Sequence, residues 1–455
     1  MRFILNFGPT LLGNICLHIT TFLEKKIMLE EITNTLGPKL TFKLFKLIKT
    51  LYMILDFILS TIIDYSLVNG RPEKDQNAKL SGHLVNIIGR CTDNPVGQVN
   101  LDQHFILQHH SYIDPIDFVT QNDFVTLMGA SKSHAWFCIS NFDVYNASII
   151  PFAFFAQYLN AQKLLIVDHP TLHQIADKLQ SPQGKCILIN NTSRSGSTLL
   201  CQIFKTIPNT LVQSEPWSFL YIHRLYNTRE ISRTEYLKLI ESFVKLQFKA
   251  TLKTSTQLYV IKLPFLCAPM FEHIRTIFGD KIRFLFSTRH LKPSITSFVK
   301  VLKSLATQDF EDRNEFWSEN VPLPYSEKYR PIFKKYYDKR RNLTDVQRVT
   351  LASGAVLVGF RQNIHMYDFV AIYEEMMENI EKKVTEMFQA FEIPVCHVPE
   401  AIKALDTDSQ LKMFDGRHEV EEIEGQEWVK ADRILEELEL PFRIEMSTNQ
   451  FISTL

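Results

Sequence analysis

From Lys185 onward, short apolar runs alternate with longer stretches of helical periodicity, and this alternation limits the fold more than any other feature of the chain. The runs fall at 186–189, 259–261, 283–286 and 369–372, and helical patterns follow from Leu199, near Met270, from Pro293 and from Glu374. Apolar runs this short suit strands buried on both faces. Strands regularly separated by helices specify an α/β fold built on a central, doubly wound parallel sheet with flanking helices. On such sheets ligands sit beyond the carboxyl ends of the strands.

Two polar, turn-rich breaks, at 69–76 and 180–185, divide the 455 residues into segments 1–70, 71–180 and 181–455. The first segment holds two apolar runs, 3–23 and 51–68. Asn6, Gly8, Pro9, Gly13 and Asn14 interrupt the first run, and Asp56 and Asp64 lie in the second. Two readings stand. Lys39, Lys43, Lys46 and Lys49 flank the second run as they would a signal anchor, which would place the remainder of the chain in a lumen. Alternatively, Leu40, Leu44, Leu47, Ile48, Leu51, Ile54, Leu55 and Ile58 follow the spacing of amphipathic helices packed on the main domain. The middle segment is an accessory region with a strand-like run at Phe105-Ile106-Leu107 and a helical pattern over 170–179. Its role does not follow from the residues.

With 50 Lys+Arg against 50 Asp+Glu, the chain has no overall basic field of the kind that gathers nucleic acid, so any anion site must be local. The seven cysteines are scattered without a CxxC pair, which suggests buried thiols and neither a zinc site nor a disulfide framework.

The strongest local feature is the strand 186–189 running through Asn190-Asn191-Thr192-Ser193 into Arg194-Ser195-Gly196-Ser197-Thr198 and a helix beginning near Ser197. Backbone N–H groups at a helix start, with seryl and threonyl hydroxyls around them, surround a phosphate, and Arg194 supplies charge. No Gly-Lys-Ser/Thr is present, and no acidic residue ends the 283–286 strand to hold magnesium, so a metal-dependent kinase is disfavoured. Downstream, the strand 283–286 leads to Arg289, and Pro293 suits the first turn of the next helix, with Ser297 about one turn inside it. Arg289 and Ser297 can share an anion, making a second anion site at a strand end.

In these motifs, taken in order, residues 185–395 resemble the sulfotransferase family, most closely its membrane-bound carbohydrate and tyrosylprotein branch. That branch opens its phosphosulfate loop as this chain does at Arg194, Ser195, Gly196, Ser197 and Thr198, and it spaces an arginine and a serine for the 3′-phosphate as Arg289 and Ser297 are spaced. A Tyr-Glu pair after a late strand is similar to Tyr373-Glu374. The resemblance implies a fold like that of phosphate-loop enzymes. It implies sulfonate transfer from 3′-phosphoadenosine 5′-phosphosulfate to a carbohydrate or protein hydroxyl, or an amine, without a metal, in a Golgi membrane protein with a lumenal catalytic domain; a cytoplasmic location is the alternative. It makes Glu215 the general base, Lys262 the cation at the transferring group, Arg194 a further catalytic cation, and Tyr373 and Arg417 contacts to the nucleotide. Around Arg417 the chain departs from the family pattern, with Asp415-Gly416 beside it. On the residues alone, Glu215 also reads as a solvated loop carboxylate and Lys262 as a snorkelling strand-end lysine.

Two other functions compete. One is a noncatalytic nucleotide-binding module of the same fold. The other is a glycerolipid acyltransferase, because His109 and Asp114 match the His-x4-Asp block of that family, with the aspartate orienting the histidine as base; no Glu-Gly-Thr block follows. Asn146-Ala-Ser148 and Asn342-Leu-Thr344 are glycosylation triplets that would fit a lumenal placement, while those at Asn190 and Asn191 fall in a buried strand end.

Overall fold

The computed structural model describes residues 43–52, 82–90, 101–141, 152–179, 184–249, 256–305, 328–338, 342–406 and 423–440. The apolar run at 3–23, nearly all of the run at 51–68, Arg417 and Asn146 lie outside the described residues. Among those that are described, no helix is long and apolar enough to cross a membrane.

Two sheets organise the chain. The first is antiparallel and drawn entirely from the middle segment: β1 (Gly82–Arg90), β2 (Phe105–Ile113), β3 (Val125–Ala130), β4 (His134–Ser140) and β5 (Ala161–Asp168), in the order β2-β1-β5-β4-β3. Helices α1 (Pro115–Thr120), α2 (Ala153–Asn160) and α3 (His169–Lys178) accompany it. The expected strand at Phe105-Ile106-Leu107 is the start of β2, and the expected helix is α3. The other four strands escaped the sequence reading because their apolar and polar residues do not alternate cleanly; β3 is buried along its whole length.

The second sheet is parallel, with β6 (Lys185–Asn191) at its centre and β7 (Thr210–Ser214), β8 (Leu258–Lys262), β9 (Ile282–Thr288) and β10 (Phe369–Ile372) around it in the order β10-β9-β6-β8-β7. Successive side chains point to opposite faces, so Cys186 and Leu188 enter one core while Ile187 and Ile189 enter another. Tyr259 and Ile261 against Leu258 and Val260 repeat the division on β8. Helices therefore cover both faces, as a doubly wound sheet requires. On one face lie α4 (Ser197–Lys205), and later α11 (Tyr373–Glu378), α12 (Ile380–Ala390) and α13 (Val398–Ile402). The other face carries α5 (Ser218–Asn227), α6 (Arg233–Gln247), α7 (Met270–Phe278), α8 (Leu291–Leu305), α9 (Arg330–Asp338), α10 (Asp345–Gln362) and α14 (Gly425–Glu437).

The two sheets share one core. Leu84, Phe105 and Trp136 of the first sheet belong to the same buried cluster as Tyr259 and Phe284 of the second. Polar contacts reinforce the join. Lys249, buried just after α6, donates to the carbonyls of Val119 (3.0 Å), Asn122 (2.7 Å) and Val125 (2.8 Å), tying the second unit to the end of α1, the turn after it and the start of β3. Across the α3–α6 contact, His169 Nδ1 meets Glu235 at 2.9 Å and His173 Nδ1 meets the Ser242 hydroxyl at 2.7 Å.

Candidate functional site

The site begins where the central strand ends. After β6 the chain turns through Thr192-Ser193-Arg194-Ser195-Gly196 into α4, with Arg194 (φ 57°) and Gly196 (φ 80°) in the left-handed region. Neighbouring elements hold this turn: Ser294 Oγ donates to the Ser193 carbonyl (2.5 Å), Ser287 Oγ to the Ser195 carbonyl (3.1 Å), and Thr192 N–H to the Ser287 carbonyl (3.0 Å). Gly196 is required twice over, because its φ is positive and a Cβ there would come within 2.5 Å of the Tyr373 ring. The Ser195, Ser197 and Thr198 side chains are buried around the loop.

Arg194 reaches across to the next strand's helix, its Nε donating to Ser297 Oγ at 2.8 Å. Strands β6 and β9 are neighbours, so Arg194 and Arg289 stand at adjacent strand ends. Burial lowers the Arg194 guanidinium from the ordinary arginine range, Glu215 opposes that shift and Arg289 adds to it. The two guanidiniums therefore feel one another. Arg289 lies over the Tyr373 ring, 4.5 Å from its centroid, and its buried Nε faces Glu374 Oε1 at 3.4 Å in an ion pair without a hydrogen bond. Ser297, expected to share an anion with Arg289, also accepts from Arg194. The two expected anion-binding arginines thus stand side by side at the ends of neighbouring strands.

On the other flank of β6, β8 delivers Lys262. Its ammonium is almost wholly buried and donates to Glu215 Oε1 at 2.6 Å and to Thr198 Oγ1 at 3.1 Å, and it lies 5.4 Å from the centre of the Phe152 ring. Glu215 follows β7, with its N–H on the Lys262 carbonyl at 2.7 Å and a left-handed backbone (φ 54°). Two of the non-glycine residues with positive φ are thus Arg194 and Glu215, and such conformations cost on the order of 1–3 kcal/mol, which surrounding structure must offset.

The structure thus brings Arg194, Ser195, Gly196, Ser197, Thr198, Glu215, Lys262, Arg289, Ser297 and Tyr373 to the carboxyl ends of β6, β7, β8, β9 and β10. Arg417 falls outside the described residues. The His109/Asp114 pair is engaged elsewhere: Asp114 caps α1 by accepting from Ile116 N–H at 2.9 Å, and His109 Nδ1 meets His83 Nε2 at 2.9 Å. Cys186 and Cys201 are buried free thiols, pushed by burial up to about 12 and about 11, whereas Cys396 is exposed. Sequence reasoning missed the roles of Ser287 and Ser294, which carry no motif, and of Phe152, which lies far from the loop in sequence. The Glu374 contact to Arg289 could have been read from Tyr373-Glu374 following a strand.

No protein-family profile matches the chain, and no curated protein matches it in sequence. Among solved structures it is similar to a sulfotransferase from Mycobacterium tuberculosis, at 11% identity and a TM-score of 0.34 over 59% of this chain and 81% of that one. It is also similar to the sulfotransferase domain of the Synechococcus olefin synthase, at 14% identity and a TM-score of 0.31 over 61% and 98%. A mouse sulfotransferase solved with PAP gives 12% identity and a TM-score of 0.32 over 63% and 95%.

Proposed function

We propose that the chain is a sulfotransferase that binds 3′-phosphoadenosine 5′-phosphosulfate across the β6 and β9 strand ends and passes its sulfonate to an acceptor hydroxyl. One observation carries this reading: a turn entering a helix, two mutually sensed arginines and a buried Lys262–Glu215 pair meet at the carboxyl edge of one parallel sheet. The donor set suits a doubly phosphorylated nucleotide. Arg289 meets Glu374 through Nε at 3.4 Å without a hydrogen bond, and Arg194 carries a charge that burial disfavours, so both gain from an anion.

When bound, the nucleotide supplies an activated sulfonate on its 5′-phosphate. The chain's own groups then divide the work. The loop N–H groups and the Ser197 and Thr198 hydroxyls would hold the 5′ end, and Arg289 with Ser297 and Arg194 would hold the 3′-phosphate. Glu215 takes the proton from the acceptor hydroxyl, and Lys262, already fixed by Glu215 and Thr198, neutralises charge as it develops on the transferring group. The Lys262–Glu215 contact keeps base and cation within one hydrogen bond of each other, so acceptor and sulfonate must meet there. The intact pair favours an enzyme over a module that merely binds nucleotide.

Calorimetric titration tests the reading. Adenosine 3′,5′-bisphosphate should bind without magnesium, and Arg194→Ala or Arg289→Ala should weaken it by about tenfold or more. Saturation by ATP with magnesium, and indifference to the 3′,5′-bisphosphate, would overturn it.

A further inference from the structure

Between the end of β6 and the first turn of α4 the chain carries five side-chain hydroxyls, at Thr192, Ser193, Ser195, Ser197 and Thr198, and four of them meet protein groups. Thr192 Oγ1 donates to Thr288 Oγ1 at 3.4 Å, Ser195 Oγ lies 3.1 Å from Ser287 Oγ, Ser197 Oγ donates to Asn191 Oδ1 at 3.3 Å, and Thr198 Oγ1 accepts from Lys262 at 3.1 Å. Ser193 is the exception. The residue is only 5% exposed, and among the described residues its Oγ meets no hydrogen-bond partner. A hydroxyl shut away from water in this way is destabilising, so a turn that keeps one points to a partner supplied from outside the chain. The backbone there is fixed in advance: the wholly buried Ser294 donates through Oγ to the Ser193 carbonyl at 2.5 Å, and Thr192 N–H donates to the Ser287 carbonyl at 3.0 Å.

Resting on the nucleotide reading above, we infer that Ser193 is a further ligand of the sulfonate donor: its hydroxyl donates to an oxygen of the 5′-phosphosulfate. The surroundings select an oxyanion. Ser193 directly precedes Arg194, whose guanidinium repels a cation, and α4 opens four residues later at Ser197, so the N–H groups of a helix start belong to the same turn. A seryl proton needs an acceptor, and phosphate and sulfonate oxygens bring lone pairs without protons of their own. The energetics favour Ser193 over its neighbours. Ser195 and Ser197 must give up or share a protein partner when the donor binds, whereas the Ser193 hydroxyl has none to lose and gains its bond in full. Phosphate and sulfonate oxygens share this chemistry, and a series of nucleotides separates them.

The test is a calorimetric titration of the full chain with 3′-phosphoadenosine 5′-phosphosulfate, adenosine 3′,5′-bisphosphate and adenosine 3′-phosphate, comparing the unmodified protein with Ser193→Ala and Ser193→Cys. Both variants should bind the phosphosulfate about tenfold more weakly, as expected for a lost hydrogen bond to a charged group. Both should bind adenosine 3′-phosphate, which has no 5′ group, as the unmodified chain does. The bisphosphate assigns the oxygen: a matching loss places the hydroxyl on the 5′-phosphate, and no loss places it on the sulfonate. Cysteine fills the space of serine with a poor donor, so it separates the lost bond from a packing defect. Because the Ser193 hydroxyl has no protein partner to lose, the urea midpoint of unliganded Ser193→Ala should hold or rise; a fall would mark the serine as structural and overturn the inference. Unchanged phosphosulfate affinity in Ser193→Ala, or equal weakening toward all three nucleotides, overturns it too and leaves the nucleotide reading standing. An unmodified chain that binds none of the three overturns the nucleotide reading, and this assignment with it.

Discussion

The Lys262–Glu215 contact makes an asymmetric prediction, because its two partners differ in exposure. The Lys262 side chain is 3% exposed and that of Glu215 23%, with 2.6 Å between the charged atoms. Glu215→Ala leaves an ammonium in the interior with only the Thr198 hydroxyl, and an uncompensated buried charge costs about 3–5 kcal/mol, or roughly 3–5 °C in Tm for a chain of 455 residues. Lys262→Met keeps the length and apolar stem and leaves a carboxylate that water reaches, so it should cost about 1 kcal/mol. The double variant removes both charges and should recover most of the loss seen in Glu215→Ala. Sulfonate transfer behaves differently: each single variant should fall by about a hundred- to a thousandfold, whatever its stability. Urea unfolding of the four proteins, with a radiolabelled transfer assay beside it, supplies both readings. If Lys262→Met destabilises as much as Glu215→Ala, or the double variant shows no recovery, the buried-pair reasoning fails.

Other outcomes follow from single features. Gly196→Ala combines a left-handed φ with a Cβ 2.5 Å from Tyr373, so it should displace that ring and weaken nucleotide binding by about tenfold or more, read by calorimetry; unchanged affinity would show that the ring does not shape the loop. Acidification should destabilise the chain through His223 and His273, which burial pushes down to about 3 and about 4. Both stay neutral in the native state while the unfolded chain takes up protons below about pH 6.5, so stability falls as pH drops from there toward 4, by about 2 kcal/mol per histidine at pH 5. A urea midpoint that does not fall between pH 7 and pH 5 would contradict that sign.

The parallel sheet was legible because its central strands are uniform apolar runs ended by recognisable chemistry: 186–189 before Arg194, 259–261 before Lys262 and 283–286 before Arg289. The edge strand β7 was not, since Thr210, Gln213 and Ser214 dilute Leu211 and Val212. The antiparallel sheet stayed hidden for a related reason. Its strands owe their burial to partners far along the chain, as β1 does to β5, and no local period reports such pairing. In the site, arginine, lysine and glutamate positions could be read from spacing, but their partners could not. Arg194 bonding Ser297, and Phe152 facing Lys262, are products of tertiary placement.

The strand order has a consequence for the growing chain. Because β6 is central and is made before the four strands that flank it, the parallel sheet must assemble outward from its oldest member as synthesis proceeds. Tyr373, whose ring covers Gly196, emerges from the ribosome some 177 residues after that glycine. A nascent chain stalled between Ser297 and Tyr373 has both arginines but not the ring that covers Gly196, so the set of groups around the loop is completed late.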